Sequence, residues 1–423
     1  MIKFSLIITA VLSGLYTQAQ DNARLTLQQA YDLARQNYPA IRQKDLVRQT
    51  ASLNIENLGK GFLPQLNVSG QATYQSAVTS VPVSIPGIKI EEPNKDQYKI
   101  QAELSQLVYD GGNTSAQKNV QTANAQVEDQ KAEVELYKVK DRINQLYLGI
   151  LLVDEQLKQT ELVKKDIRLG IQKVEAQVKN GTAFRSAQLT LEAELMKNDQ
   201  RVIELNASRK GLADVLSLFI NRQLPANVQL ELPVVPAPVV QETVLRPELK
   251  LYNYQSNLFK VQNQLISSKN RPRTSLFVQG GYGRPGLNML KNQFDWFYIA
   301  GVRLNWGFGG LYTSKKEREL LTVNQKMVDV QKDLFLLNTN TQLKQQQSEV
   351  DKLQQLIKSD EQIIGIRVQV KEASNAQLSN GVITASDFLR EVNAEDQARV
   401  SLITHQLQLI QAQINYRTIS GNQ

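Results

Sequence analysis

One junction occurs twice in this chain. "LSQLVYDGGNTSAQKNV", from Leu104, and "RLNWGFGGLYTSKKERE", from Arg303, each pass from an alternating apolar stretch through a Gly-Gly pair into a long Lys- and Gln-rich segment. Around these junctions the chain aligns with itself. Pro39 meets Pro247, Pro64 meets Pro272 and Tyr74 meets Tyr282, all at an offset of 208. The offset falls to 198 at Gly112 and Gly310, and recovers to 200 where "NGTAFRS" at Asn180 meets "NGVITAS" at Asn380. A preserved order of elements, with insertions confined to loops, identifies a tandem duplication of a unit of roughly 200 residues. The fold must therefore use one plan twice, over 21–221 and 243–423. The extended, proline-rich segment 222–242 joins the two copies.

Each unit reads as helix, strand, loop, strand, very long helix, turn and helix. Thr26 and Gln29 have the spacing of a capping box at the start of the first helix, which the pattern extends from Thr26 to Leu58. The fourth strand is the clearest: Phe294, Trp296, Tyr298, Ala300, Val302, Leu304, Trp306 and Phe308 alternate with a second set that includes Asp295 and Arg303. The second strand repeats this with Tyr98, Ile100, Ala102 and Leu104 against Lys99, Gln101, Glu103 and Ser105. Leu66, Val68, Ala72 and Tyr74 mark the first strand, and Leu276, Val278 and Tyr282 the third. A half-buried soluble sheet would also alternate. Here the polar faces carry full charges and the apolar face ends in aromatics, so the strands are expected to span a membrane. Tyr98, Trp296, Tyr298, Trp306 and Phe308 would form its interfacial girdle. Ten residues at ~3.3 Å each, tilted by ~40°, span roughly 25 Å, which is the apolar band of an outer-membrane barrel. Four strands cannot close such a barrel, and lipid does not tolerate open edges, so several copies must share one. Eight strands would leave a filled interior and twelve a pore, and spacing alone does not choose between them.

Between the junctions and the "NG" turns, Asn113 to Lys179 and Leu311 to Ser379 contain no proline and read as helices that reach roughly 100 Å at ~1.5 Å per residue. Leu336, Leu343, Val350, Ile357 and Ile364 recur every seven residues, the stripe of a helix packed along its length. Gly111, Gly112, Gly309 and Gly310 would turn strand into helix, because glycine permits backbone angles and close approaches that a side chain blocks. The loops 77–95 and 283–292 are expected to be extracellular. "GYGRPG", at Gly281, matches a dinucleotide-binding pattern in letters only, since Pro285 and another strand follow where a helix should begin.

Composition removes whole classes of function. There is no cysteine and one histidine, His405, so disulfides, thiolate catalysis, zinc sites and a Ser-His-Asp triad are not expected, and neither is any cofactor or metal. The chain reads as a non-enzyme with no catalytic residues. Net charge is +8, but Lys and Arg interleave with Glu and Asp along the helices, which argues against nucleic acid. Residues 1–20, with Lys3, an apolar stretch from Phe4 to Leu15 and small residues at Thr17 and Ala19, read as a secretory signal peptide.

"LTLQQAYDLARQNYPAI", "RPEL", the two strand-Gly-Gly-helix junctions and the "NGVITASDFL" turn together resemble the TolC family of outer-membrane efflux ducts, over essentially the whole mature chain. The resemblance implies a mixed α and transmembrane β fold in which a homotrimer shares a 12-stranded β-barrel above an α-helical barrel. It also implies a Gram-negative outer-membrane location with a large periplasmic portion, and contact with outer-membrane lipid. The implied partners are a periplasmic adaptor (membrane fusion) protein and an inner-membrane pump of the resistance-nodulation-division or ABC type. A structural coiled-coil protein, an adaptor or a passive porin would be the alternatives. By the same resemblance, the turns at Gly181 and Gly381 would form a periplasmic gate, with Asp387 at a position where family members carry an aspartate. Ile383 and Arg390 depart from the family pattern, so a different latch is expected, in which Arg185 or Arg390 pairs with Asp387.

Overall fold

The computed structural model describes residues 24–80, 82, 92–225, 227–236, 243–289 and 291–422. Residues 1–23 (which include the expected signal peptide), residues 81 and 83–91 of the first long loop, and residue 290 of the second lie outside them. The first repeat comprises β1 (Arg24–Leu25), α1 (Leu27–Asn37), α2 (Pro39–Lys60), β2 (Gln65–Tyr74), β3 (Asp96–Tyr109), α3 (Asn113–Lys179) and α4 (Arg185–Ile220). After β4 (Gln229–Leu230), the second repeat continues with α5 (Pro247–Lys269), β5 (Arg273–Arg284), β6 (Asp295–Asn305), α6 (Gly309–Ser379) and α7 (Ala385–Ser420).

These boundaries change three expectations. The opening helix is two helices: Pro39 has no N–H to continue α1, and Tyr38 before it is extended (φ −66°, ψ 134°). β6 ends at Asn305, so Trp306 and Phe308 lie beyond the strand although the alternation runs through them. Gly309 and Gly310 are the first residues of α6 rather than a turn that precedes it. The expected capping box is present: the Thr26 hydroxyl accepts from the Gln29 N–H (3.2 Å) and the Gln29 side chain accepts from the Thr26 N–H (3.0 Å).

The chain divides into two compact units. One is formed by Met1–Tyr38, Lys138–Thr243 and Gln342–Gln423, and the other by Pro39–Tyr137 and Val244–Thr341. Among the described residues, the first unit has as its only strands the short parallel pair of β1 and β4, beside its helices. Its largest core gathers Ile143, Tyr147, Ile150, Leu216 and Ile220 with the small Ala30 and Ala34 of α1. Each large side chain buried this way contributes roughly 1.5–3 kcal/mol. The Tyr147 hydroxyl lies 2.6 Å from the carbonyl oxygens of both Leu25 and Glu231, and so ties the extended segments to α3. A second core joins Val163, Ile167 and Val174 of α3 and Leu191 of α4 to residues of α6 and α7.

The other unit carries a four-stranded antiparallel meander in the order β2-β3-β5-β6. Its register places Leu66 opposite Leu104, Leu104 opposite Val278, and Val278 opposite Ala300. Even-numbered residues therefore share one face across all four strands. The break in alternation at Gln106 has a structural sequel: the register of β3 shifts between Leu107 and Tyr109, and Tyr109 comes to lie opposite Thr274, back on the apolar face.

Candidate functional site

Three places carry the features a duct would need. The first is the sheet. Leu66, Val68, Trp296, Tyr298 and Val302 on its even face are each about two-thirds or more exposed, so the apolar surface of all four strands is uncovered in a single chain. A contiguous apolar face of this kind is unusual on a soluble monomer and marks a surface that meets a partner or a membrane. The odd face is polar and internally bonded. Arg303 donates to both carboxylate oxygens of Glu103 (2.8 and 3.1 Å), Gln279 donates to Gln101, and Lys99 lies over the ring of Phe297 (4.8 Å). Aromatic rings cluster at both ends of the even face. Tyr282 contacts Phe294 (5.5 Å) and Trp296 (5.0 Å), and Phe294 contacts Tyr98 (6.4 Å). At the other end Trp306 packs on Phe308 (4.9 Å). No helix among the described residues is long and apolar enough to cross a membrane.

The second is the pair of junctions, which solve one problem in two ways. Gly111 and Gly112 adopt left-handed angles (φ 72° and 81°) that other residues rarely enter. Asp110, whose role no sequence period marks, then caps α3: its carboxylate accepts from the N–H groups of Gly112 (2.8 Å) and Thr114 (2.6 Å). At the second junction the glycines are helical, and what matters is close approach. A Cβ on Gly310 would collide with the Asn270 side-chain oxygen, whereas Gly309 has open space around it. The Trp306 indole N–H donates to the Asn270 carbonyl (3.1 Å). Arg271, the next residue, has its Cβ 2.6 Å from where a Cβ on Gly111 would stand, so the turn after α5 abuts both junctions.

The third is the pair of helix-to-helix turns, and these match in detail. Thr182 N–H reaches Gln177 O (2.8 Å) and Gly181 N–H reaches Val178 O (3.0 Å). Val382 N–H reaches Gln377 O (2.9 Å) and Gly381 N–H reaches Leu378 O (3.1 Å). With φ of 74° and 68° at the glycines, both are Schellman turns. The return helices begin differently. Thr384 and Asp387 form a reciprocal capping box, with Asp387 N–H donating to the Thr384 hydroxyl (3.2 Å) and Thr384 N–H donating to the Asp387 carboxylate (3.2 Å). The Thr384 hydroxyl and then its backbone N–H hold the Asp387 carboxyl below its ordinary pKa. Arg390 lies 3.8 Å from Asp387 and 3.3 Å from Glu391, all on α7. In the first repeat, Phe184 takes the cap position without a side-chain bond and is 85% exposed, and Arg185 opens α4. Within one chain Asp387 is thus a helix cap with Arg390 beside it.

A polar cluster between the two hairpins has no counterpart among the sequence expectations. Lys371 of α6 bonds Asp166 of α3 (2.8 Å) and Glu395 of α7 (2.5 Å), and Arg399 adds a second cation to Glu395 (2.7 Å). Burial by itself would raise the Glu395 pKa, but the bonds from Lys371 and Arg399 more than offset it and hold the carboxyl below its ordinary value. No sequence period announces a cluster whose members come from three helices.

Residues 30–216 match the family model described as outer membrane efflux protein. No curated protein matches the chain in sequence. Among solved structures, CusC matches with a TM-score of 0.68 at 13% identity, over 94% of this chain and 92% of that one. VceC from Vibrio cholerae, an outer membrane protein, matches at 0.66 and 14%, over 94% and 96%. The MtrE outer membrane channel of Neisseria gonorrhoeae, in its open state, matches at 0.64 and 15%, over 94% and 89%. At these identities what is shared is the fold, and it is shared along both repeats.

Proposed function

We propose that this chain, whose residues 30–216 match the outer membrane efflux protein family model and whose fold is TolC-like, is an outer-membrane duct that exports substrates in concert with a periplasmic adaptor and an inner-membrane pump. The observation that carries this reading is the sheet. Its even face is apolar and uncovered on all four strands, while β2 and β6 are edges with no partner strand among the described residues. In lipid every backbone N–H and C=O must be satisfied, so those edges have to pair with further copies. A trimer supplies twelve strands and places Lys99, Glu103 and Arg303 toward a wet lumen. The turns at Gly181 and Gly381 serve as the periplasmic gate, where Arg185, Asp387 and Arg390 line the converging hairpins.

Fractionation with electrophoresis tests this. The protein should sediment with outer membranes and run as an SDS-resistant oligomer that collapses to monomer on heating, and the purified oligomer should conduct in planar bilayers. Recovery in the soluble periplasm without detergent would refute the duct and favour a coiled-coil scaffold.

A further inference from the structure

The duplication makes the seam between the two hairpins of one chain a template for a seam the chain alone does not form. In a ring of copies, repeat one meets repeat two within each chain, and repeat two meets repeat one of the next chain. At the offset of 200 in this region, each position of the first seam has an equivalent position in the other repeat.

Inside the chain, Val163 and Gly170 of α3 are buried beneath α7, where Phe388 lies 3.0 Å from a would-be Cβ on Gly170, and Asp166 between them bonds Lys371. The counterparts on α6 are Ile363, Ile366 and Val370, which are 44%, 64% and 37% exposed. On the opposing side, buried Leu389 and half-buried Asp396 of α7 correspond to Leu189 and Met196 of α4, which are 51% and 69% exposed. Two apolar faces therefore stand open in one chain at the positions equivalent to two faces that meet within it.

The chemistry of the two seams differs. Of the charged cluster, Asp166, Lys371 and Glu395 map onto the aliphatic Ile366, Ile171 and Leu195, while Arg399 maps onto Asp199, which pairs with Lys164 of its own chain (2.9 Å). Of the polar group Gln159, Arg201 and Asp396, held by contacts of 3.3 Å, the counterparts are Ser359, Ser401 and Met196.

We propose that the α6 face of Ile363, Ile366 and Val370 docks on the α4 face of a second copy of this chain around Leu189 and Met196, with Ile366 seated against Ile171 and Leu195 of that copy. The assembly then alternates an ionic seam within chains and an apolar seam between them. This rests on the oligomeric duct reading and adds the pairing and its chemistry.

The chain has no cysteine, so cross-linking reads the pairing on a clean background. Ile366→Cys and Met196→Cys are placed on separately tagged chains, co-expressed and treated in membranes with a short bis-maleimide. Covalent dimers carrying both tags are expected, and neither variant alone should give them. SDS-resistant oligomers that contain both tags but yield no such dimer would overturn the pairing and leave the duct intact. Absence of SDS-resistant oligomers from the unmodified protein would overturn both. A second measurement transplants the ionic seam. Ile366→Asp should lose most of the SDS-resistant oligomer, and adding Ile171→Lys to the same chain should restore it. Ile366→Asp assembling like the parent would refute the apolar seam.

Discussion

Val302→Arg tests which face of the sheet meets lipid. Val302 is 65% exposed on the even face, opposite Leu276, and Trp296 and Trp306 bracket the apolar run of its segment. The middle of that run is Gly301, so Val302 stands one residue away, about 2.5 Å along the membrane normal for a strand rising ~3.3 Å per residue and tilted ~40°. That is close enough to the midplane for nearly the full cost of an arginine there, about 2–4 kcal/mol per copy. Three copies would bring about 6–12 kcal/mol to one barrel, comparable with the whole stability of many folded domains. Ser69→Arg is the control: it lies mid-strand on the odd face, opposite Gln101, where substitution should stay within about 0.5 kcal/mol. The assay is the yield of heat-modifiable oligomer in outer-membrane fractions. Val302→Arg should deplete it and Ser69→Arg should not. Equal yields, or loss only in Ser69→Arg, would show that the lipid face has been assigned backwards or that the sheet is not in lipid.

Three other perturbations have defined outcomes. Tyr147→Phe removes the hydroxyl from the carbonyls of Leu25 and Glu231 and should cost about 1–3 kcal/mol, read as a lower melting temperature of the detergent-solubilised protein; an unchanged melt would mean the tie does not hold the extended segments. Because the folded-state pKa of Glu395 lies below its ordinary 4.5, its contribution is present above the ordinary glutamate range and is lost as pH falls through the lowered value. Circular-dichroism melts should therefore fall off in acid for the parent chain and less steeply for Glu395→Gln. Asp387→Ala should raise single-channel conductance without lowering oligomer yield if the residue ties the gate, whereas unchanged conductance with a less stable α7 would leave it a helix cap alone.

Elements with a backbone period were legible in the sequence. The four strands, the start of α3 at Asn113 and the ends of both long helices fall where alternation, glycine and the "NG" pairs put them. The errors came where side-chain pattern and backbone state part company. Trp306 and Phe308 continue an alternation that the ladder has already left, and Gly309 and Gly310 are glycines that α6 includes. The break at Tyr38 had a signal in Pro39, which disfavours helical backbone at the residue before it. Lys371 with Asp166 and Glu395 had no signal, because spacings of 205 and 24 residues carry no period.

The two repeats also differ in a way that physics orders. A turn fixed by its own backbone needs only glycine at one position, and the turns at Gly181 and Gly381 have kept the same bonds in both copies. A junction fixed by its neighbours is free to change with them. Asp110 caps α3 in the first repeat, and its counterpart, Phe308, packs on Trp306 in the second. Left-handed glycines suffice beside Asp110, while beside Asn270 the requirement is the absence of a Cβ on Gly310. The same rule governs the seam at Lys371. Duplication supplied two equivalent positions, one facing the chain itself and one facing outward. Each could adopt its own chemistry because only the helix geometry, and not the pair of side chains, had to be shared.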